Sequence, residues 1–171
     1  MIETERLRLI PLTYDQLIKY LKCDFSLEEE LNLTKIPRTI SPELLEAFEE
    51  TILPKVADNT KNYLYSTLWM AITKEDNTMV GDVCIVGEPN SKGEIEIGYG
   101  TNDGFRNRGF MTEMVGGIIE WAKTEPKVKS ITAASEFTNK ASCRVLEKNR
   151  FVQITASDTT IFWRLKLEKN A

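Results

Sequence analysis

One run of sequence, residues 93–122, fixes three consecutive elements and so limits what the rest of the chain can become. It opens with Glu94, Ile95, Glu96, Ile97 and Gly98, an alternation that predicts a strand with one face buried. Thr101, Asn102, Asp103 and Gly104 then predict a turn. Met111, Met114, Val115, Ile118, Ile119 and Ala122 follow at three-and-four spacing, which places them on one face of a helix. Between turn and helix lie Arg106, Asn107, Arg108, Gly109, Phe110 and Met111. The first N–H groups of a helix have no partner inside it, and the helix dipole puts roughly half a positive charge there. A basic, glycine-bearing loop at that point favours an anion, above all a phosphate. Arginines in a loop are also the ordinary makeup of a solvated surface, so both readings stand at this level. A dinucleotide fingerprint fits poorly: Gly98, Gly100 and Gly104 are spaced one residue too widely, and the first two still belong to the strand.

The chain contains no histidine, which removes Ser/His/Asp and Cys/His catalysis and most transition-metal sites. Proton transfer is left to carboxylate, tyrosine, lysine, cysteine or water. A net charge of −4 argues against binding nucleic acid through overall electrostatics. Cys23, Cys84 and Cys143 are odd in number and widely spaced, so neither a disulfide framework nor a zinc site is expected. That usage suits a reduced, cytoplasmic compartment. No secretory leader and no membrane span is expected from the acidic N-terminal residues and the lack of a long apolar run.

The 171 residues are read as one domain over 1–171. A first strand, Arg6 to Leu12, precedes a helix whose capping box is Thr13 with Gln16, and Ser26 with Glu29 repeats the box for a short second helix. Ser41 and Pro42 announce a third helix, which Pro54 is expected to close. Ser66–Thr73, Met79–Val86 and Glu94–Gly100 make two antiparallel hairpins. After the central helix, which ends before Pro126, come a strand at Ser130–Ser135, a helix from Asn139 to Lys148 and a closing strand pair. The expected fold is α/β (α+β), a mixed and mostly antiparallel sheet of about seven strands flanked by helices.

Arg106 to Met111 resembles the Q/R-x-x-G-x-G/A signature of the GNAT superfamily of acyl-CoA-dependent N-acetyltransferases, and Glu96–Tyr99 resembles the E-I-G-Y strand before it. Asn139, Ala141, Ser142, Val145, Leu146, Glu147, Lys148 and Phe151 resemble the second half of the pattern, N-x-A-S-x-x-V-L-E-K-x-G-F. Thr4–Leu9 and Gly109–Glu113 look most like the branch containing the ribosomal-protein N-terminal acetyltransferases.

The resemblance implies acetyl-CoA as cosubstrate, no metal, and an acceptor amine at a protein N-terminus or on a small molecule, attacking directly in a ternary complex. It implies a sheet that splays between Glu94–Gly100 and Ser130–Ser135 to admit the thioester. Backbone groups near Tyr99 and Gly100 would hold the pantetheine arm, and one N–H there would hold the carbonyl oxygen. Such a donor lowers an acyl-transfer barrier by roughly 3 to 4 kcal/mol. Arg106, Asn107, Arg108, Gly109, Phe110, Met111 and Thr112 would hold the pyrophosphate, and Asn139 would touch the cofactor arm besides capping its helix. Glu96 is the first candidate for catalytic base, with an anchoring or solvated role as its alternative; Asp82 and Glu94 are weaker candidates. The residue at the family's usual acid tyrosine is Leu146, which leaves Ser142 or water to protonate the thiolate, or an unassisted departure. Met111 replaces a Gly or Ala, and Arg150 replaces a glycine at the end of the second helix, where Asn149 is expected to take the left-handed conformation. Residues 23–65 would shape the acceptor pocket, with Phe25, Tyr63, Tyr65 and Glu28–Glu30 as candidates. The closing strands of such folds often pair across a homodimer. A cofactor-binding module without turnover and an unrelated nucleotide-binding domain are the rival readings.

Overall fold

The computed structural model describes residues 1–168, so the last three residues of the sequence-based domain lie outside the described residues. Strands β1 (Ile2–Glu3), β2 (Leu7–Pro11), β3 (Leu68–Thr73), β4 (Met79–Ile85), β5 (Glu94–Thr101), β6 (Ser130–Glu136), β7 (Val152–Ala156) and β8 (Thr160–Lys166) form one sheet in the order β1-β2-β3-β4-β5-β6-β8-β7. The sheet thus has eight strands. The extra one is the edge pair Ile2–Leu9 and Glu3–Arg8, too short for periodicity to reveal. Every pairing is antiparallel except β5 with β6. Those two are joined by a helical crossover, α5 (Phe110–Thr124), as parallel neighbours require.

Strand alternation divides the core between the two faces of the sheet. Leu7, Leu9, Trp69, Val83, Ile85, Ile95, Ile97, Ile131 and Trp163 face α5 and α6 (Lys140–Lys148). Leu68, Met70, Ile72 and Met79 face α1 (Tyr14–Lys22), α2 (Ser26–Leu31) and α3 (Pro42–Ala47) with its extension. The three tryptophans belong to the first core: Trp69 and Trp163 are buried, and Trp121 packs on Tyr65 and Trp69 at 5.3 and 5.1 Å.

Local signals decide most helix ends. The Thr13–Gln16 capping box forms, Ser41 caps α3, and Asn139 accepts from the Ser142 N–H at the start of α6. The second box does not form. Ser26 is already helical, Phe25 precedes it with φ 67°, and Asp24 accepts from the Ser26 N–H and hydroxyl instead. Pro54 does not end its helix either. Residues Phe48–Ile52 form a π turn that leads into α4 (Leu53–Ala57), and the Leu53 N–H donates to the Phe48 carbonyl. Proline near the start of α4 needs no donor there, and the wider turn gives its ring room. Among the described residues no helix is long and apolar enough to cross a membrane.

Candidate active site

The parallel pair separates part-way along. β5 pairs with β4 from Ile97–Ile85 to Thr101–Gly81, but with β6 only from Glu94–Ser130 to Ile97–Ala133. The Glu96 carbonyl accepts from Val86, and the Asn102 N–H donates to Val80, both at 2.9 Å. Even-numbered residues of β5 therefore turn their backbone groups to β4, and alternation turns those of Tyr99 and Thr101 the other way, into the gap. Gly100 adds no side chain to this wall; a Cβ there would meet no atom within 4 Å.

The gap leads to a cavity of about 720 Å³ between the C-terminal half of β5, the loop after it and the start of α6. Tyr99, Gly100, Arg106, Asn107, Gly109, Phe110, Met111, Thr112, Asn139 and Ser142 all line it, as do Arg144 and Lys148. Its described lining includes three cations and no carboxylate. Asn107 (φ 60°) and Gly109 (φ 79°) are left-handed, and Gly109 stands at the N-cap with no side-chain hydrogen bond to the helix. The opening N–H groups of α5 are thus left for a guest. Glycine is needed at 109 for its backbone angle, which a β-carbon strains. Phe110 and Met111 bury their side chains in the core, 5% and 9% exposed, so the bulk of Met111 lies away from its backbone N–H.

A brace from the chain's beginning holds this loop. Glu113 accepts from the Thr4 hydroxyl (2.6 Å), the Arg6 N–H (2.6 Å) and Arg6 Nε (2.7 Å). Arg6 also donates Nη1 to the Arg108 carbonyl at 3.0 Å and lies 4.6 Å over the Phe110 ring. Burial works to raise the Glu113 carboxyl, yet the hydrogen bonds from Thr4 and Arg6 win and hold it below its ordinary value. Arg108 is not a lining residue; its guanidinium lies 5.7 and 5.0 Å over the Phe105 and Phe110 rings. Sequence reading assigned it a phosphate; in the structure it is exposed and its side chain's described contacts are to these two rings.

Two hydroxyls meet on the cavity wall. Tyr99 Oη and Ser142 Oγ are 2.8 Å apart. Burial raises the Tyr99 phenol, opposed by the hydrogen bond with Ser142. Leu146 is fully buried and contributes only packing. Cys143 is buried too, with its sulfur 3.6 Å from Ser135 Oγ.

On the opposite face the carboxylates differ sharply. Glu94 is engaged by Arg164 at 2.8 Å and by Asn90 at 3.2 Å. Glu96 is exposed and lies opposite Thr132, one pair short of the end of the β5–β6 ladder. Asp82 lies on β4 directly opposite Gly100 and accepts from Tyr20 Oη at 3.2 Å. A second cavity, about 520 Å³, opens on this side and includes Glu28 and Arg38; it meets the first at Thr101 and Arg106.

The profile of the Acetyltransferase (GNAT) domain matches residues 6–152. The chain belongs to the GNAT acetyltransferase family. An uncharacterized N-acetyltransferase of Bacillus subtilis, YjdG, is 30% identical over 155 residues, 89% of each chain. Among solved structures, the ribosomal-protein-S5-alanine acetyltransferase of Vibrio fischeri superposes with a TM-score of 0.68 at 17% identity, covering 96% of this chain and 94% of its own. RimL, a ribosomal L7/L12 α-N-protein acetyltransferase solved in complex with coenzyme A, superposes with a TM-score of 0.66 at 14% identity over 98% and 97% of the two chains. At those identities the structural likeness speaks for the fold.

As a GNAT protein the chain departs from its sequence-based reading at several residues. Arg150 itself adopts φ 64°, whereas Asn149 keeps a negative φ of −89° and donates its side-chain N–H to the Thr112 and Val145 carbonyls at 3.1 and 2.9 Å. Asn149 thereby ties the end of α6 to the start of α5, a task that needs its amide and so leaves the left-handed turn to Arg150. Tyr65 is no acceptor-pocket residue; it is buried in the α5-side core with its hydroxyl donating to Glu125 at 2.7 Å. The glutamate run splits: Glu29 and Glu30 pair with Lys35 and Lys19 at the surface, while Glu28 is buried beside Arg38 at 3.4 Å. Sequence reading gave no role to Arg144, Tyr20 or Arg38, and named Lys148, Arg6 and Glu113 only as parts of the resembling phrases. Thr4–Leu9 and Gly109–Glu113 carried a usable signal, since the two phrases turn out to bond to one another.

Proposed function

We propose that the chain is an N-acetyltransferase moving an acetyl group from acetyl-CoA to a primary amine, at a protein N-terminus or on a small molecule, by direct attack in a ternary complex. The observation that carries this is the end of the β5–β6 ladder at Ile97–Ala133, beyond which Tyr99 and Thr101 turn their backbone into a cationic cavity. When bound, acetyl-CoA supplies the activated acyl group. The backbone of Tyr99 and Thr101 would position its pantetheine arm and donate to the carbonyl oxygen as charge develops there. Arg106, Arg144, Lys148 and the opening N–H groups of α5 would hold its phosphates. Ser142, hydrogen-bonded to Tyr99, would protonate the departing sulfur in place of the tyrosine that Leu146 displaces. Three free cysteines fit a reducing, cytoplasmic setting.

Leu146 also motivates a second reading, a cofactor-binding module without turnover. Thermal unfolding with acetyl-CoA, CoA, NAD and ATP, followed by thiol release against an amine panel, separates these readings. A ligand at about a hundred times its dissociation constant adds roughly 2.7 kcal/mol, or on the order of 5 °C for a domain of this size. Both readings expect that rise with acetyl-CoA and CoA alone. Amine-dependent thiol release selects the enzyme; its absence selects the module. No rise with either CoA species overturns both.

A further inference from the structure

We propose that Asp82 accepts the proton of the attacking amine, held for that task by Tyr20 and Arg38. The inference rests on the acetyl-transfer reading above and assigns its base.

Position comes first. The gap in β5 begins after Ile97, so the reacting carbonyl lies alongside Gly98 to Thr101 rather than at Glu96, which is still within the ladder. Gly98 and Gly100 leave the acceptor face of β5 bare there, and the residues of β4 paired with them are Cys84 and Asp82. Cys84 Sγ lies 3.2 Å from where a Gly98 Cβ would be, whereas a Cβ at Gly100 would meet no atom within 4 Å, so the space over Gly100 is open. Asp82 is therefore the carboxylate directly opposite the open segment. Glu96 sits below it and faces solvent.

Preparation comes second. Tyr20 Oη holds Asp82 Oδ2, and among the described residues it is the one hydrogen-bond donor to this carboxylate, which leaves Oδ1 for a proton. Arg38 lies 4.3 Å over the Tyr20 ring, donates to the Tyr20 carbonyl at 3.1 Å and pairs with Glu28. Burial raises the Asp82 pKa to about 6, opposed first by the Tyr20 hydrogen bond and then by the Arg38 charge. That value leaves the group ionised at neutral pH and still basic. Cys84, the other titratable group on the strip, is pushed up to about 11 by burial and stays a thiol. Around these groups, Glu28 pairs with Arg38, Glu96 acts on Cys84, and Cys23 acts on Tyr20.

The step balances with water as the one further participant. The nitrogen–carbon bond forms, the carbon–sulfur bond breaks, the proton on nitrogen passes to Asp82 Oδ1, and the sulfur leaves as thiolate and takes a proton from water, directly or relayed through the Ser142 hydroxyl, which water resupplies. Glu96 then serves to draw a cationic acceptor to the exposed strip.

The test measures single-turnover transfer from acetyl-CoA to spermidine and to peptides with free N-terminal alanine or serine, from about pH 5 to 9, for wild type, Asp82→Asn, Glu96→Gln and Tyr20→Phe. Wild type should show an acidic limb near about 6. Asp82→Asn should lose about 10²- to 10⁴-fold in kcat/KM at neutral pH and lose that limb, while keeping the midpoint rise with CoA. Tyr20→Phe should move the limb upward, since it removes a donor that favours the charged form. Glu96→Gln should raise KM for spermidine and leave the limb in place. A readout without acceptor accompanies these. A carboxyl raised in the folded state opposes folding once ionised, so Asp82→Asn should raise the unfolding midpoint at about pH 8 and not below about pH 4. A loss of stability at about pH 8 would make Asp82 a structural partner of Tyr20 and overturn the proposal. So would an Asp82→Asn protein that retains the limb, or a limb that vanishes in Glu96→Gln. A wild type that binds CoA but transfers to no amine sinks the acetyl-transfer reading, and the assignment of Asp82 with it.

Discussion

The two faces of the sheet are built by different rules. On the α5–α6 face the groups facing the cavity come from two short stretches, Tyr99–Thr112 and Asn139–Lys148, and backbone does much of the work. On the other face Tyr20, Glu28, Arg38 and Asp82 come from four separate parts of the chain and act through side chains. Polar satisfaction differs in the same way. The carboxylate of the first face, Glu113, has three donors. The carboxylate buried on the second, Glu28, keeps one oxygen unpartnered, and Arg38 keeps Nε unpartnered beside it. A fixed ligand can be met by a rigid, fully bonded frame. The second face instead keeps buried charge without a full set of partners, at a cost in stability.

The sharpest way to break this contrast is Glu28→Ala. It leaves Arg38, whose side chain is only 10% exposed, without its carboxylate. Removing one member of a buried pair costs about 3–5 kcal/mol, readable as a lower denaturant midpoint. The double change Glu28→Met with Arg38→Met should recover most of that loss while still impairing transfer, because stability on this face is separable from its chemistry. Next is the cofactor side. Arg144→Ala with Lys148→Ala should weaken CoA by roughly 2 kcal/mol, about thirtyfold, with the loss shrinking at high salt. Acetylated pantetheine without phosphates should bind both proteins alike. If the double variant binds CoA normally, the cationic cavity is not where the phosphates sit.

The smallest effect is expected at the brace. Glu113→Gln should cost about 1–2 kcal/mol at neutral pH, measured by urea unfolding. The Glu113 carboxyl is held below its ordinary value, so its contribution is present above that value and disappears as pH falls through the lowered one. Wild type and variant should therefore converge in acid. A difference that persists once Glu113 is protonated in both states would show that shape rather than charge ties Thr4 and Arg6 to α5.

Reading the chain without its structure reached far on one face and little on the other, for a physical reason. Strand alternation, the Thr13 and Asn139 caps and the Ser41–Pro42 start are set by neighbours within four residues, so they are visible in sequence order. The same holds for the arginine loop, whose helix N-terminus and left-handed Gly109 are local devices. Pro54 and Ser26 misled because a π turn and an Asp24 side chain, also local but rarer, replaced the expected ends. What only the tertiary structure decided is which distant residues meet. It set Tyr99 against Ser142 across 43 positions, Arg6 against Glu113 across 107, and Tyr20 against Asp82 across 62. It also chose Asp82, not Glu96, as the carboxylate opposite the open strand. That choice depends on where the β5–β6 ladder ends, and strand pairing of this kind is fixed by packing between elements far apart in the chain.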